Sequence, residues 1–224
     1  MKSRVVIVLA ATLVALSMVS TVGMAAMNKN SGDEKSIKMS ALAFHDQMRK
    51  LWEDHITWTR LAIVDLASGA ADTGPTVDRL LQNQVDIGNA IKPFYGAVAG
   101  DQLTALLKTH IVQAADIILD AKAGNTAGVD ENVTAWYANA NEIAAFLSSA
   151  NPANWPLNTM KDLMKMHLDL TLKEATAQLS GDYATSISTY EQVHLEILGM
   201  ADALSQGLIA QFPQMFTGVG GFMK

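Results

Sequence analysis

The sequence predicts an all-α fold: a bundle of six helices in three helical hairpins that follows an N-terminal signal segment. Apolar residues recur at helical spacing through most of the chain, and no segment alternates with the period of two that strands require. One spacing of leucine, histidine and glycine also occurs three times, as Leu51-x3-His55-x13-Gly69, Leu106-x3-His110-x13-Gly124 and Leu163-x3-His167-x13-Gly181. Because the 224 residues contain only five histidines, three in one frame indicate a helical unit used three times.

The first 26 residues are predicted to be a secretory signal peptide. Lys2 and Arg4 precede an uncharged run, and small residues near Ala25 suit cleavage, so the protein is expected to be exported to the periplasm or the medium. The alternative is an uncleaved anchor, since the run is long enough to cross a bilayer. Residues 27–36 are polar and charged and are predicted to be a flexible tether.

A single helical domain is predicted over residues 37–212, and its first hairpin over 37–92. The first helix, 37–68, should end in a left-handed cap at Gly69. The return helix is expected to begin near Pro75, because proline suits a first helical turn, and to run to about residue 91, where Pro93 should stop it.

The second and third hairpins follow the same plan. The second, 101–149, should open at Asp101, turn at Gly124 and close before the break at 151–156. The third, 158–211, should open at the N-cap Asn158, turn at Gly181 and end before a proline. Residues 213–224 are predicted to be a flexible tail, and no strands are expected.

The repeated histidines indicate one shared site. Each return helix also offers a polar side chain: Asp86 and Glu142 follow their glycines at nearly the same distance, and His194 lies about one helical turn closer to Gly181. We therefore predict convergence on a common interior of His55, Asp86, His110, Glu142, His167 and His194. Four imidazoles and two carboxylates suit zinc, iron, manganese or copper, and imidazole favours the later transition metals. The predicted function is an exported helical bundle with an interior metal-binding site.

A second function competes with this one. Histidines among aliphatic residues are commonly hydrogen-bonded core residues, and a duplicated unit can carry such a residue three times. The alternative is a non-enzymatic helical module that binds a small apolar ligand or a protein partner, with structural histidines. Glu174 shares a helix face with His167 and is either an acceptor for a ring N–H or a solvated charge. His45 has no counterpart in the other units and is expected at the surface.

Composition excludes several other classes. The formal charge of −6 becomes −8 once Lys2 and Arg4 are lost with the signal, and an acidic surface does not suit nucleic acid or anionic lipid. No cysteine is present, which removes disulfides and thiolate chemistry. A membrane partner is expected only if the N-terminal segment stays uncleaved. Phosphate-binding loops, the G-x-S-x-G elbow and the H-E-x-x-H motif are also missing.

Several runs resemble an uncharacterised exported bacterial family that is all-helical, and the resemblance covers about residues 48–212. The runs that carry it are residues 51–60 (LWEDHITWTR), 107–122, 136–147 (WYANANEIAAFL) and 200–202 (MAD). Members of the family carry names such as glycosyltransferase or acetylglutamate kinase, and neither a nucleotide-sugar site nor a phosphate loop accompanies the resemblance here. It implies a single exported helical domain and adds no mechanism. Where the family often has Asn-Pro, this chain has Asn83-Gln84.

Overall fold

The computed structural model describes residues 38–221, and this part of the chain is all-helical, as the sequence predicts. The predicted signal peptide (1–26) and tether (27–36) lie outside the described residues. Five α-helices follow one another: α1 (Ala41–Ser68), α2 (Thr73–Ala123), α3 (Thr126–Ala150), α4 (Leu157–Ser180) and α5 (Tyr183–Gln211). Two two-residue strands, β1 (Met39–Ser40) and β2 (Phe216–Thr217), flank them. None of the helices in this described part is long and apolar enough to cross a membrane.

The three predicted glycine helix ends are confirmed. Gly69, Gly124 and Gly181 have φ values of 74°, 71° and 80°, and the backbone N–H of each donates to a carbonyl of the last helical turn. A side chain is strained at such φ values and glycine is not, which is why glycine ends these helices.

Residues 38–221 contain five continuous helical segments, because the two helices predicted on either side of Pro93 are joined without a loop into α2. The chain reverses within α2 at Gly96, whose φ of 84° and ψ of 169° lie outside the helical region. The two halves of α2 then pack so closely that a Cβ added at Gly88 would lie 2.6 Å from the carbonyl oxygen of Gly100. One glycine therefore takes the place of the connecting loop that we expected at 92–100.

The helices close into a ring. Each helix packs against the next, with α4 against α5, and α5 packs back against α1. Asp202 on α5 joins the two ends of the ring, because it accepts from Arg49 at 2.6 Å and contacts His45 Nε2 at 2.9 Å. His45 is therefore a partly buried residue with 16% of its side chain exposed, and not the surface residue that we expected.

Trp155 anchors the connection between α3 and α4 to α5. Its indole N–H donates to the carbonyl of Ala203 at 3.2 Å, and its ring lies directly over Gly207. Asn151, also buried, donates to the carbonyl of Gly207 at 2.9 Å. The close approach of the indole requires a residue without a side chain at position 207.

Residues 213–221, which belong to the segment predicted to be a flexible tail, contact the start of the domain. Strand β2 pairs in parallel with β1, and Phe216 is buried against Phe44 and Phe94 with ring centres 5.2 and 5.6 Å away. The expectation of no strands is corrected by this short pair. Local sequence could not indicate it, because the paired residues are far apart in the chain.

Candidate functional site

Three buried histidine rings lie together in the interior. His55 on α1, His110 in the second half of α2 and His167 on α4 are each 3–4% exposed. The ring centres of His55 and His167 are 5.9 Å apart, and those of His110 and His167 are 6.3 Å apart. We call these three rings the histidine layer. It brings together the three residues that share a frame in the sequence.

Each ring of the histidine layer is bound through Nδ1 by a polar side chain 29 residues later. His55 contacts Gln84 at 3.3 Å, His110 contacts Asn139 at 3.2 Å, and His167 contacts Glu196 at 3.0 Å. All three partner residues are themselves 9% exposed or less. The constant spacing extends the repeat from the histidines to their partners.

The partners also determine which ring nitrogen carries the proton. Oxygen accepts, so Nδ1 of His110 donates to Asn139 and Nδ1 of His167 donates to Glu196. Nε2 of the neutral His110 ring then keeps its lone pair. His55 differs, because the Gln84 amide nitrogen donates to its Nδ1 and leaves the proton on Nε2. The orientation of this amide is fixed by its 2.7 Å hydrogen bond to the carbonyl of Leu80.

Backbone contacts repeat around the layer as well. Asn83 donates to the carbonyl of Leu51 at 3.0 Å, and Asn139 donates to the carbonyl of Leu106 at 3.2 Å. Both carbonyls belong to the leucine four residues before a layer histidine. In the first unit, Asn83 binds the leucine carbonyl and Gln84 binds the histidine ring. In the second unit, Asn139 makes both contacts.

Apolar side chains enclose the layer at both ends. Trp52 meets His55 edge-on with ring centres 5.7 Å apart, and the ring of Trp136 lies 5.1 Å from that of His110. A cavity of about 20 Å³ is lined by aliphatic and methionine side chains together with the rings of Trp52 and Trp155. Two cavities of about 30 Å³ each lie among residues such as Ile63. Each cavity has room for about one water molecule.

Four buried polar atoms beside the layer have no hydrogen-bond partner among the described residues. They are Trp52 Nε1, Gln84 Oε1, Trp136 Nε1 and Glu196 Oε1. Buried polar atoms of folded proteins nearly always have a partner, because an unpaired one costs about 1–3 kcal/mol. Their concentration around three imidazoles indicates that the protein does not satisfy this region by itself.

Burial favours the neutral form of two of the three rings, His55 and His110. The causes differ slightly between the two. Burial lowers the pKa of His55 well below 6.5, and the neighbouring His167 and His110 lower it further, while Gln84 opposes the shift. Burial also lowers the pKa of His110 to about 3, with His167 contributing in the same direction and Asn139 opposing. A neutral imidazole is the form that binds a metal ion.

A second buried carboxylate lies near the layer but has its own partner. Glu174 is 1% exposed and accepts from Arg60 at 3.0 Å, and Arg60 also donates to Ser186 and Gln178. Burial raises the pKa of Glu174, and Arg60 and His167 oppose that shift. Glu174 is therefore neither an acceptor for a histidine ring N–H nor a solvated charge, because it is buried and accepts from Arg60.

The structure does not bring Asp86, Glu142 and His194 to the layer. Asp86 accepts from Gln82 at 3.1 Å, and His194 contacts Glu53 at 3.1 Å, while Glu142 is exposed. Successive residues of an α-helix are rotated by about 100° around its axis. Asp86 and His194 each lie two residues from a layer partner, and they therefore lie on the helix face away from the layer. Glu142 lies three residues beyond Asn139, almost one turn along the helix and outside the layer.

The sequence prediction omits the true partners, because it considers only acids and histidines on the return helices. Two of the three partners are amides, which do not resemble metal ligands. Counting from the histidines instead of the glycines would have found them, since His-x28 is followed by glutamine, asparagine or glutamate in all three units.

Within residues 38–221, no group of three or more His, Asp or Glu side chains is spaced as a ready-made metal ligand set. No protein-family model, curated protein or solved structure matches the chain. The histidine layer must therefore be interpreted from its own geometry.

Proposed function

We propose that this domain binds one transition-metal ion through Nε2 of His110 and His167, with His55 as a third ligand. The observation that carries the proposal is the convergence of three buried imidazoles, with the ring centre of His167 lying 5.9 Å from that of His55 and 6.3 Å from that of His110. Oxygen acceptors on Nδ1 orient two of these rings, as the outer hydrogen bonds of metal-bound histidines do.

Ring spacing sets what ion binding requires. With metal–nitrogen bonds of about 2 Å, two imidazole centres on one ion are about 5 Å apart at a tetrahedral angle and about 6 Å apart when the ion lies between them. The observed spacings are at the wide end of this range, so a tetrahedral ion must draw the rings together by about 1 Å. This contraction accounts for the lack of a ready-made ligand set.

His55 needs one further change to become a ligand through Nε2, because its proton must move to Nδ1. Gln84 Oε1, which has no partner, could accept that proton only if the amide rotates and gives up its 2.7 Å hydrogen bond to the carbonyl of Leu80. Imidazole ligands suit zinc, copper and iron, and they suit manganese less well. Asp86, Glu142 and His194 have no part in this arrangement.

We also infer that the domain contains three copies of one helical hairpin. The constant 29-residue spacing from histidine to partner, the three glycine caps and the paired asparagine contacts support this inference. The reversal at Gly96 then corresponds to the junction between the first and second copies.

Export is a separate proposal, supported by residues 1–26 of the sequence. The intact mass of the protein isolated from its native host should correspond to about 198 residues, as a signal peptide of this length is removed. A mass that retains residues 1–26 would leave the membrane-anchored alternative.

Elemental analysis and thermal unfolding test the metal proposal. Protein purified without chelator should contain about one ion per chain, and excess metal should stabilise the fold by about 2.7 kcal/mol at one hundred times Kd. His110→Ala should abolish this response, and His194→Ala should retain it. Equal metal responses in the wild type and His110→Ala would contradict the proposal.

The alternative function is a helical module that binds a small apolar ligand or a protein partner. Cavities of about 20–30 Å³ next to the layer accommodate about one water each, so an apolar ligand bound beside the histidines has less support than one bound elsewhere on the domain. Metal-free wild-type protein that does not respond to added metal would favour this alternative.

A further inference from the structure

The outer surface of α5 carries a row of apolar side chains. Tyr183, Ile187 and Leu195 are 56% to 75% exposed, and we call these three residues the α5 stripe. Because successive helical residues are rotated by about 100°, the three lie within about 120° of the circumference of the helix. Single exposed apolar residues are ordinary on a protein surface, whereas several along one side of a helix indicate a surface that another molecule covers.

The α5 stripe is separate from the core-facing side of the same helix. That side holds Val193, Ile197 and Leu204, each 3% exposed or less. α5 is therefore apolar both where it packs in the bundle and on part of its outer surface, where a helix of a soluble bundle is usually polar. More than half of each stripe side chain is exposed, so packing within the bundle does not explain the second apolar side.

The charges beside the stripe are negative. α5 contains no lysine or arginine, and the exposed Glu191 lies within the stripe. Glu53 on α1, also exposed, reaches the same side of α5 through its 3.1 Å contact with His194. Arg49 and Arg60 of α1 both contact α5, and each already binds a carboxylate. The stripe is thus an apolar surface with acidic edges.

We propose that the α5 stripe binds an amphipathic helix of a partner protein that has lysine or arginine beside its apolar side. From Tyr183 to Leu195 the stripe is about 18 Å long, which about three turns of a partner helix cover. The basic residues of that helix face Glu191 and Glu53. This inference does not rest on the proposed metal-binding function, because the stripe faces solvent rather than the histidine layer.

The acidic edges favour this occupant over two others. A second copy of α5 packed on the stripe would bring the same carboxylates together, and like charges across an interface are unfavourable. An anionic membrane surface would be repelled for the same reason. A basic helix instead gains from both features of the surface, since its apolar side covers the stripe and its charges complement the edges.

Two synthetic peptides test the chemistry of the partner. Both have about 14 residues, enough to span the stripe, with leucines along one side of the helix. They differ only in the residues that flank the leucines, which are lysine in one and glutamate in the other. Fluorescence anisotropy measures their affinities for the protein purified from its native host. The lysine peptide should bind at least about 10-fold more tightly, and this preference should decrease as salt is added.

Three variants at exposed positions locate the binding surface. Leu195→Ser should weaken binding of the lysine peptide by about 10-fold, because it removes a large apolar contact. Val98→Ser is the matched control, because Val98 is 84% exposed but lies on α2, and it should bind like the wild type. Glu191→Gln should reduce the preference for lysine over glutamate by about 2- to 5-fold. Far-UV circular dichroism verifies that all three variants are folded.

Several results would overturn the inference. It is wrong if the lysine peptide does not bind, if both peptides bind equally, or if Leu195→Ser or Glu191→Gln behaves like the wild type. It is also wrong if Leu195→Ser converts a dimeric wild type into a monomer in analytical ultracentrifugation, because a second copy then covers the stripe. Binding to vesicles of phosphatidylcholine and phosphatidylglycerol that Leu195→Ser removes would assign the stripe to a membrane instead.

Discussion

Replacing His110 by asparagine should make the domain less sensitive to acid. The amide nitrogen of asparagine takes the place of Nδ1 and can still donate to Asn139, while the titratable ring is removed. Burial lowers the pKa of His110 to about 3 in the folded protein, and an unfolded histidine titrates near 6.5. Below about pH 6.5 the unfolded state therefore binds a proton that the folded state does not bind, and wild-type stability falls with pH.

The size of the effect follows from the two pKa values. Above about pH 7.5 both states are unprotonated at this residue, and the histidine makes no pH-dependent contribution. Between about pH 7.5 and 4.5 the difference in bound protons destabilises the wild type by about 2.7 kcal/mol. This loss is large compared with typical domain stabilities of about 5–15 kcal/mol, so it should be measurable.

Urea unfolding followed by far-UV circular dichroism, with chelator present, measures this contribution. The acid-induced loss of stability should be smaller in His110→Asn than in the wild type by about 2.7 kcal/mol over that range. Ile111→Val is the control, because it removes one buried methyl group at a cost of about 0.5–1.5 kcal/mol that does not depend on pH. Parallel pH profiles for His110→Asn and the wild type would refute the reasoning.

Three further predictions concern stability, and chemical denaturation measures each of them. Gly207→Ala should destabilise the domain by about 1–3 kcal/mol, because its Cβ would displace the indole packed over it. Gly199→Ala, on the same helix, places a Cβ that meets no atom within 4 Å and should stabilise the domain by about 0.5–1 kcal/mol. Arg60→Met should cost about 3–5 kcal/mol at neutral pH by leaving buried Glu174 without its partner, and Arg60→Met combined with Glu174→Leu should recover much of that stability. Phe216→Ala should cost about 3–5 kcal/mol in the same assay, and a wild-type stability would show that the β2 segment does not hold the N-terminal end of the domain.

Local sequence patterns determine most of this fold. The periodicity of apolar residues predicts the helices, and glycines at positive φ end three of them where predicted. The tight reversal at Gly96 was not predicted, because a proline such as Pro93 normally indicates that a helix ends and a loop follows. The choice between a loop and a tight reversal depends on the close packing of Gly88 on Gly100, which is a tertiary contact. The β1–β2 pair joins the two ends of the domain and has no local signal for the same reason.

The candidate site was predictable in its histidines but not in their partners. Shared spacing identified His55, His110 and His167, since equivalent positions of equivalent helices reach the same depth in the bundle. The residue types expected of metal ligands did not identify the histidines' partners, because a ring nitrogen needs only an oxygen acceptor or an amide donor. Spacing was the better guide for Asn139 and Glu196 as well, each of which follows its histidine by 29 residues.

Helix register alone does not explain the histidine layer. Buried polar pairs can fix the alignment of neighbouring helices, and each histidine–partner pair joins a helix to its return segment. Three histidine–partner pairs would align the helices equally well if they lay at three different levels of the bundle, each surrounded only by apolar side chains. Here the rings instead lie within 6.3 Å of one another in two of the three pairings. His167 and His110 lower the pKa of His55, and His167 lowers the pKa of His110. Clustering the rings therefore makes them harder to protonate, which helix alignment does not require. A shared metal ion would explain the clustering, because several imidazole nitrogens can bind one ion.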